Sequence, residues 1–253
     1  MIGSPSLKLP FDGELSRAPK REFEETILFI HHFGGGKRTS LRHRRFVGGL
    51  GFDSVSFTLN YNHMNPLKAL PISSDLAFGA RHLWTEQIEA MLNAIPGKKI
   101  IYSFSMPSNS AFEAIARRHA EDVVAVVCDG GPFLKLVQCT WNLYQHEYEI
   151  KSKILRAGFT AIGLLMQGPG TSFDLKEKLA TIPAGFPVLS IRGTEDPLVP
   201  EEAIDEFLEC MPQVALKTLT LDGGEHLDGL KRFANLYEST VAEFLYEAAG
   251  NVR

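Results

Sequence analysis

Long apolar runs are missing from this 253-residue chain. No stretch of about 18 uncharged apolar residues occurs, so no membrane-crossing helix is expected. Met1 to Glu25 has no apolar core of the kind that marks a signal peptide. Cysteine is scarce. Cys128, Cys139 and Cys210 are odd in number and form no CxxC pair, which argues against a disulfide framework or a cysteine zinc site. A reducing, cytoplasmic setting fits that usage. There is no cationic excess: the net charge is −4, and nothing overall points to nucleic acid. Internal repeats and low-complexity stretches are also absent. What remains is 44% hydrophobic and 22% charged, ordinary for a soluble globular protein of one large domain or two small ones.

Apolar runs then set the order of elements. Residues 1–25 read as a short β lead-in, with Asp12-Gly13 a hairpin signal between two extended pieces. Thr26–His31 is nearly all apolar, as in a strand covered on both faces. Ser54–Leu59, Lys99–Tyr102, Val123–Cys128, Val188–Ile191 and Val214–Leu221 read as further strands. Helices are expected over Thr39–Gly48, Asp75–Ala94, Ser110–Ala120, Glu201–Met211 and Leu230–Ala249. The alternation predicts an α/β fold: a mostly parallel sheet with helices on both faces, in a single domain.

One interval breaks the rhythm. Leu134–Gly185 spans 52 residues, far more than a crossover needs. It carries Trp141, Tyr144, Tyr148, Ile154, Leu155, Ile162, Leu164, Leu165 and Met166, and reads as two or three helices ending at Gly168-Pro169-Gly170. Its place after the carboxyl end of a parallel strand, where such sheets hold ligands, makes it a helical lid over a pocket.

Three loops carry residues suited to chemistry. The strand from Lys99 runs into Ser103-Phe104-Ser105-Met106-Pro107-Ser108 and then a helix. A serine on such a turn is held clear of the sheet beside free N–H groups and a helix dipole, although serines there also serve as plain helix caps. After Val188–Ile191 comes Gly193-Thr194-Glu195-Asp196-Pro197-Leu198-Val199-Pro200. After Val214–Leu221 comes Asp222-Gly223-Gly224-Glu225-His226.

In these loops and their order the sequence resembles the α/β-hydrolase superfamily, from about Glu25 to the C-terminus. The resemblance implies Ser105 as nucleophile, His226 as general base and Asp196 as the acid that orients it. Asp129, at the end of Val123–Cys128, is the rival acid. The backbone N–H groups of Phe33 and Met106 would form the oxyanion hole. Two positions depart from the family pattern: Pro107 stands where a small residue is usual, and His32 where glycine is usual.

The implied activity is a serine carboxylesterase using an acyl-enzyme and no cofactor. The substrate would be a small-molecule ester with a small-to-medium apolar acyl group, because the lid sequence is aromatic and aliphatic. His32, Phe104, Phe133 and Trp141 are the expected pocket residues, although Phe104 and Phe133, like Trp84 and Phe112, also read as core. A thioesterase or acyltransferase is the enzyme alternative. A basic run, Lys37, Arg38, Arg42, His43, Arg44 and Arg45, prompts it: near a pocket mouth it would attract an acidic carrier protein, and elsewhere it is a solvated helix face. A catalytically silent binding protein is the alternative of another class. No metal is expected, since His31-His32 lacks HExxH spacing and a nearby carboxylate. Neither glycine-rich stretch matches a phosphate or dinucleotide loop.

Overall fold

The structure, a computed structural model, describes residues 7–64, 79–168 and 171–250. Seven strands form one sheet in the order β1-β3-β2-β4-β5-β6-β7. They are β1 (Glu14–Ser16), β2 (Thr26–Ile30), β3 (Asp53–Ser56), β4 (Lys99–Phe104), β5 (Val123–Asp129), β6 (Pro187–Gly193) and β7 (Ala215–Leu221). Every neighbouring pair is parallel except β1 with β3. Among the described residues the Asp12-Gly13 turn makes no hairpin with an earlier strand. It delivers β1 to the sheet edge, where the Asp12 carboxylate accepts from the N–H and hydroxyl of Thr58, both at 2.8 Å.

The two faces of the strands fill two cores, as period-2 alternation requires. Leu28, Val55, Ile101, Val126 and Val188 point to one side, packed beneath α2 (Ala80–Ala94), α3 (Ser108–Arg117) and α7 (Glu201–Leu208). Ile27, Phe29, Ile100, Tyr102, Val127, Leu189 and Ile191 point to the other, beneath α1 (Leu41–Gly49) and α9 (Ala234–Ala248). The last helix is not continuous. The short α8 (Gly229–Arg232) is separated from α9 by Phe233, whose ψ of 32° leaves the helical region. The expected start of α2 at Asp75 lies outside the described residues, as do Pro169 and Gly170.

The long β5–β6 connection holds α4 (Leu136–Asn142), a wide π turn (Leu143–Glu147), α5 (Lys153–Gln167) and α6 (Thr171–Leu179). α6 is core: its Leu175 and Leu179, and Ile182 just beyond it, are fully buried or nearly so on the α3 side of the sheet. α5 turns its polar side inward. Its buried residues are Arg156, Thr160, Gly163 and Gln167, and its exposed ones include Ile154, Leu155, Phe159, Ile162 and Leu165. Two local causes are visible. Arg156 is drawn inward over the Trp141 ring, 4.8 Å from its centroid, and donates to the Ile150 carbonyl at 2.8 Å. Gly163 lets α5 press on α4, since a Cβ there would lie 3.0 Å from Thr140 Cγ2.

Candidate active site

Ser105 stands at the carboxyl end of β4, on the turn into α3. Its φ of +54° is rare for a residue with a side chain and marks local backbone strain. Two contacts hold that conformation. Its N–H donates to the Asp129 carbonyl at 2.8 Å. Gly131 lies so close that a Cβ there would be 2.5 Å from the Ser105 carbonyl oxygen. Pro107 fits the turn without conflict. Its φ of −60° suits the start of a helix, and its carbonyl accepts from Ala111 N–H.

His226 Nε2 lies 3.0 Å from Ser105 Oγ, and Nδ1 lies 2.6 Å from Asp196 Oδ2. Asp196 is held by its own loop: Oδ1 accepts from the N–H groups of Leu198 and Val199 at 2.8 and 2.9 Å. Gly193 and Gly224 let the acid loop and the histidine loop touch, since a Cβ on Gly193 would fall 2.2 Å from the Gly224 carbonyl. Asp129, the rival acid, does not meet His226. Its Oδ2 accepts from Tyr237 Oη at 2.7 Å, and Tyr237 Oη lies 2.5 Å from Tyr102 Oη. Burial pushes the Asp129 carboxyl up to about 6, against the opposing effect of the Tyr237 hydrogen bond.

The backbone N–H groups of Phe33 and Met106 donate to no group among the described residues. Both residues line the same cavity as Ser105 and His226. His32 occupies the position where glycine is usual without positive φ; that conformation falls on Gly34, at +80°. The loop is fixed by a residue whose role the sequence did not disclose. Buried His31 contacts the His32 carbonyl through Nδ1 at 2.7 Å and accepts from Leu59 N–H through Nε2 at 2.9 Å. With Nε2 an acceptor, the ring is neutral. Burial lowers its pKa, and that of His32, consistent with uncharged rings.

The cavity measures about 590 Å³. His32 and Phe133 line it, while Phe104 and Trp141 do not. Phe104 falls on the opposite face of the sheet, buried against Tyr102 and His43, because alternation along β4 sends it away from the loop. Trp141 packs under Arg156. The basic run does not line the cavity either. Arg44 is buried against Glu14 at 3.1 Å and Lys37 donates to the Asp12 carbonyl, leaving Arg38, Arg42 and Arg45 exposed. Among the described residues no cluster of three or more metal-ligating side chains occurs, and no helix is long and apolar enough to cross a membrane.

This geometry suits transfer of the Ser105 proton to an imidazole oriented by a carboxylate. No protein-family model and no curated protein sequence matches the chain. Solved structures do. A thermostable carboxyl esterase from Bacillus coagulans superposes with a TM-score of 0.67 at 15% identity, covering 94% of each chain. A monoacylglycerol lipase from Paleococcus ferrophilus gives 0.63 at 15% identity, over 93% of this chain and 99% of the other. A bromoperoxidase from Bacillus anthracis gives 0.60 at 16% identity, over 92% and 94%. The chain thus has the α/β-hydrolase fold, over nearly its whole length.

Proposed function

We propose that this protein is a serine carboxylesterase that works through an acyl-enzyme. Ser105 Oγ attacks the ester carbonyl while His226 takes its proton. The N–H groups of Phe33 and Met106 stabilise the tetrahedral oxyanion. His226 then protonates the leaving alcohol, and a water, activated by the same imidazole, releases the acid. Asp196 keeps Nδ1 of the imidazole protonated and offsets the charge that develops on the ring.

The observation that carries this reading is the unbroken Asp196–His226–Ser105 hydrogen-bond chain, opening on a cavity beside two uncommitted N–H donors. Esterases and a lipase among the structures of similar fold support it. Phe133, Leu143, Leu198 and Val199 offer an apolar wall for a small-to-medium acyl group. We also read α4, the π turn and α5 as the lid over this cavity.

The test is turnover of p-nitrophenyl acyl esters. Ser105→Ala is expected to lower kcat by at least about a thousandfold. Equal turnover by wild type and Ser105→Ala would sink the reading, and absence of Ser105 labelling by a fluorophosphonate would favour a silent binding protein. The matching acyl-thioesters, assayed beside the oxygen esters, separate an esterase from a thioesterase. An acidic carrier would have to be met by Arg38, Arg42 and Arg45 on the outer surface, since these are exposed and outside the cavity lining.

A further inference from the structure

The inward face of the lid is more polar than its composition suggests. Thr140 on α4 and Gln167 at the end of α5 both line the cavity that holds Ser105. They are 5% and 8% exposed. Gln167 Nε2 donates to Thr140 Oγ1 over a long 3.4 Å. Beyond that contact the pair is unfinished. Among the described residues the Thr140 hydroxyl donates to nothing, and Gln167 Oε1 accepts from nothing.

A ligand that offers both an acceptor and a donor would complete the pair. One donor and one acceptor side by side match a hydroxyl or an amide, each of which can accept from Thr140 and donate to Gln167. Glu147, which also lines the cavity, sets its negative charge against a carboxylate in the same place.

We propose that Thr140 and Gln167 form a polar subsite that binds a neutral hydrogen-bonding group, a hydroxyl or amide, carried on the acyl part of the substrate. This deepens the ester-hydrolase reading and rests on it. The apolar wall holds the stem of the acyl group, and the lid recognises its substituent. Sites built to hydrogen-bond a substrate hydroxyl discriminate strongly against analogues that lack it, whereas purely apolar pockets do not.

The experiment has two arms. In the first, p-nitrophenyl hexanoate is compared with its 2-, 3- and 6-hydroxy derivatives, which do not close readily to lactones. Wild type is expected to favour the best-placed hydroxyl in kcat/KM by about tenfold or more. Thr140→Val and Gln167→Met should each bring that ratio close to one, while Thr140→Ser should keep it. In the second, the corresponding methyl esters are titrated into Ser105→Ala protein by ligand-observed NMR, where tighter binding of the hydroxylated esters is expected. A wild-type ratio at or below one throughout the series overturns the subsite. Should no ester be cleaved above the Ser105→Ala background, the hydrolase reading fails. The binding arm then decides the subsite alone: a hydroxyl preference supports it, and equal binding overturns it.

Discussion

His43 is a histidine in the wrong solvent. Both ring nitrogens are buried without a hydrogen-bond partner, and the ring packs edge-on against Tyr102, Phe104 and Tyr237. Burial, reinforced by nearby Arg42, pushes its pKa down to about 3 from the ordinary 6.5. The unfolded chain therefore takes up this proton first as pH falls, so His43 withdraws stability between about pH 6.5 and 3. His43→Phe keeps the packing and removes two unpaired polar atoms. Its stability at pH 7 is expected to match wild type or exceed it by up to about 1 kcal/mol. The advantage should grow as pH falls to 5, which urea unfolding at the two pH values measures. No local pattern distinguished this histidine from the arginines around it. The basic run looked like a surface feature because burial of His43 and Arg44 depends on β1 and α9, which are remote in the chain. Asp196 was legible for the opposite reason. Its Oδ1 binds N–H groups two and three residues onward, so the turn it makes is written in the GTEDPLVP segment itself.

At the scale of elements, α5 departs most from its composition. It is rich in leucine and isoleucine, yet the side that packs carries Arg156, Thr160, Gly163 and Gln167. Hydrophobic periodicity identifies a helix with two unlike faces, but it does not say which face turns inward when polar partners await on the neighbouring helix. Two substitutions separate the faces. Ile154→Lys, at a residue 85% exposed, should change stability by less than about 0.5 kcal/mol. Gly163→Val should force α5 off Thr140 and cost about 1–3 kcal/mol by thermal unfolding. Ordinary amphipathic burial, with Ile154 inside, would give the reverse ranking.

Across the whole molecule, one carboxylate joins three helices. Glu113 of α3 is fully buried and meets His82 Nδ1 at 2.8 Å, Arg117 at 2.7 Å, Lys178 at 2.9 Å and Arg81 at 3.2 Å. Those partners lie on α2, α3 and α6. Burial alone would raise its pKa; the His82 hydrogen bond and the charges of Arg81 and Arg117 outweigh it, holding the carboxyl well below the usual carboxylate range. A depressed folded-state pKa means stability present above about pH 4.5 and lost progressively as pH falls below it. Glu113→Gln should cost about 3 kcal/mol at pH 7, because it leaves buried cations without their counter-charge. The loss should shrink toward pH 3. A pH-independent loss in urea unfolding would show that packing, not charge, binds these helices.

The sequence by itself determined the succession of strands along the chain, a mostly parallel sheet, and loops carrying Ser105, Asp196 and His226 at the carboxyl ends of β4, β6 and β7. Those features follow from short apolar runs and turn residues, and such signals act over a few positions. Only the tertiary structure decided which carboxylate meets His226, that Asp129 turns to Tyr237, that Phe104 and Trp141 leave the cavity, and that the lid presents Thr140 and Gln167 to it. Each of these depends on groups far apart in the chain, as with Ser105 and His226, 121 residues apart. Contacts of that span are selected by the fit of whole faces, and no local stretch of sequence records them.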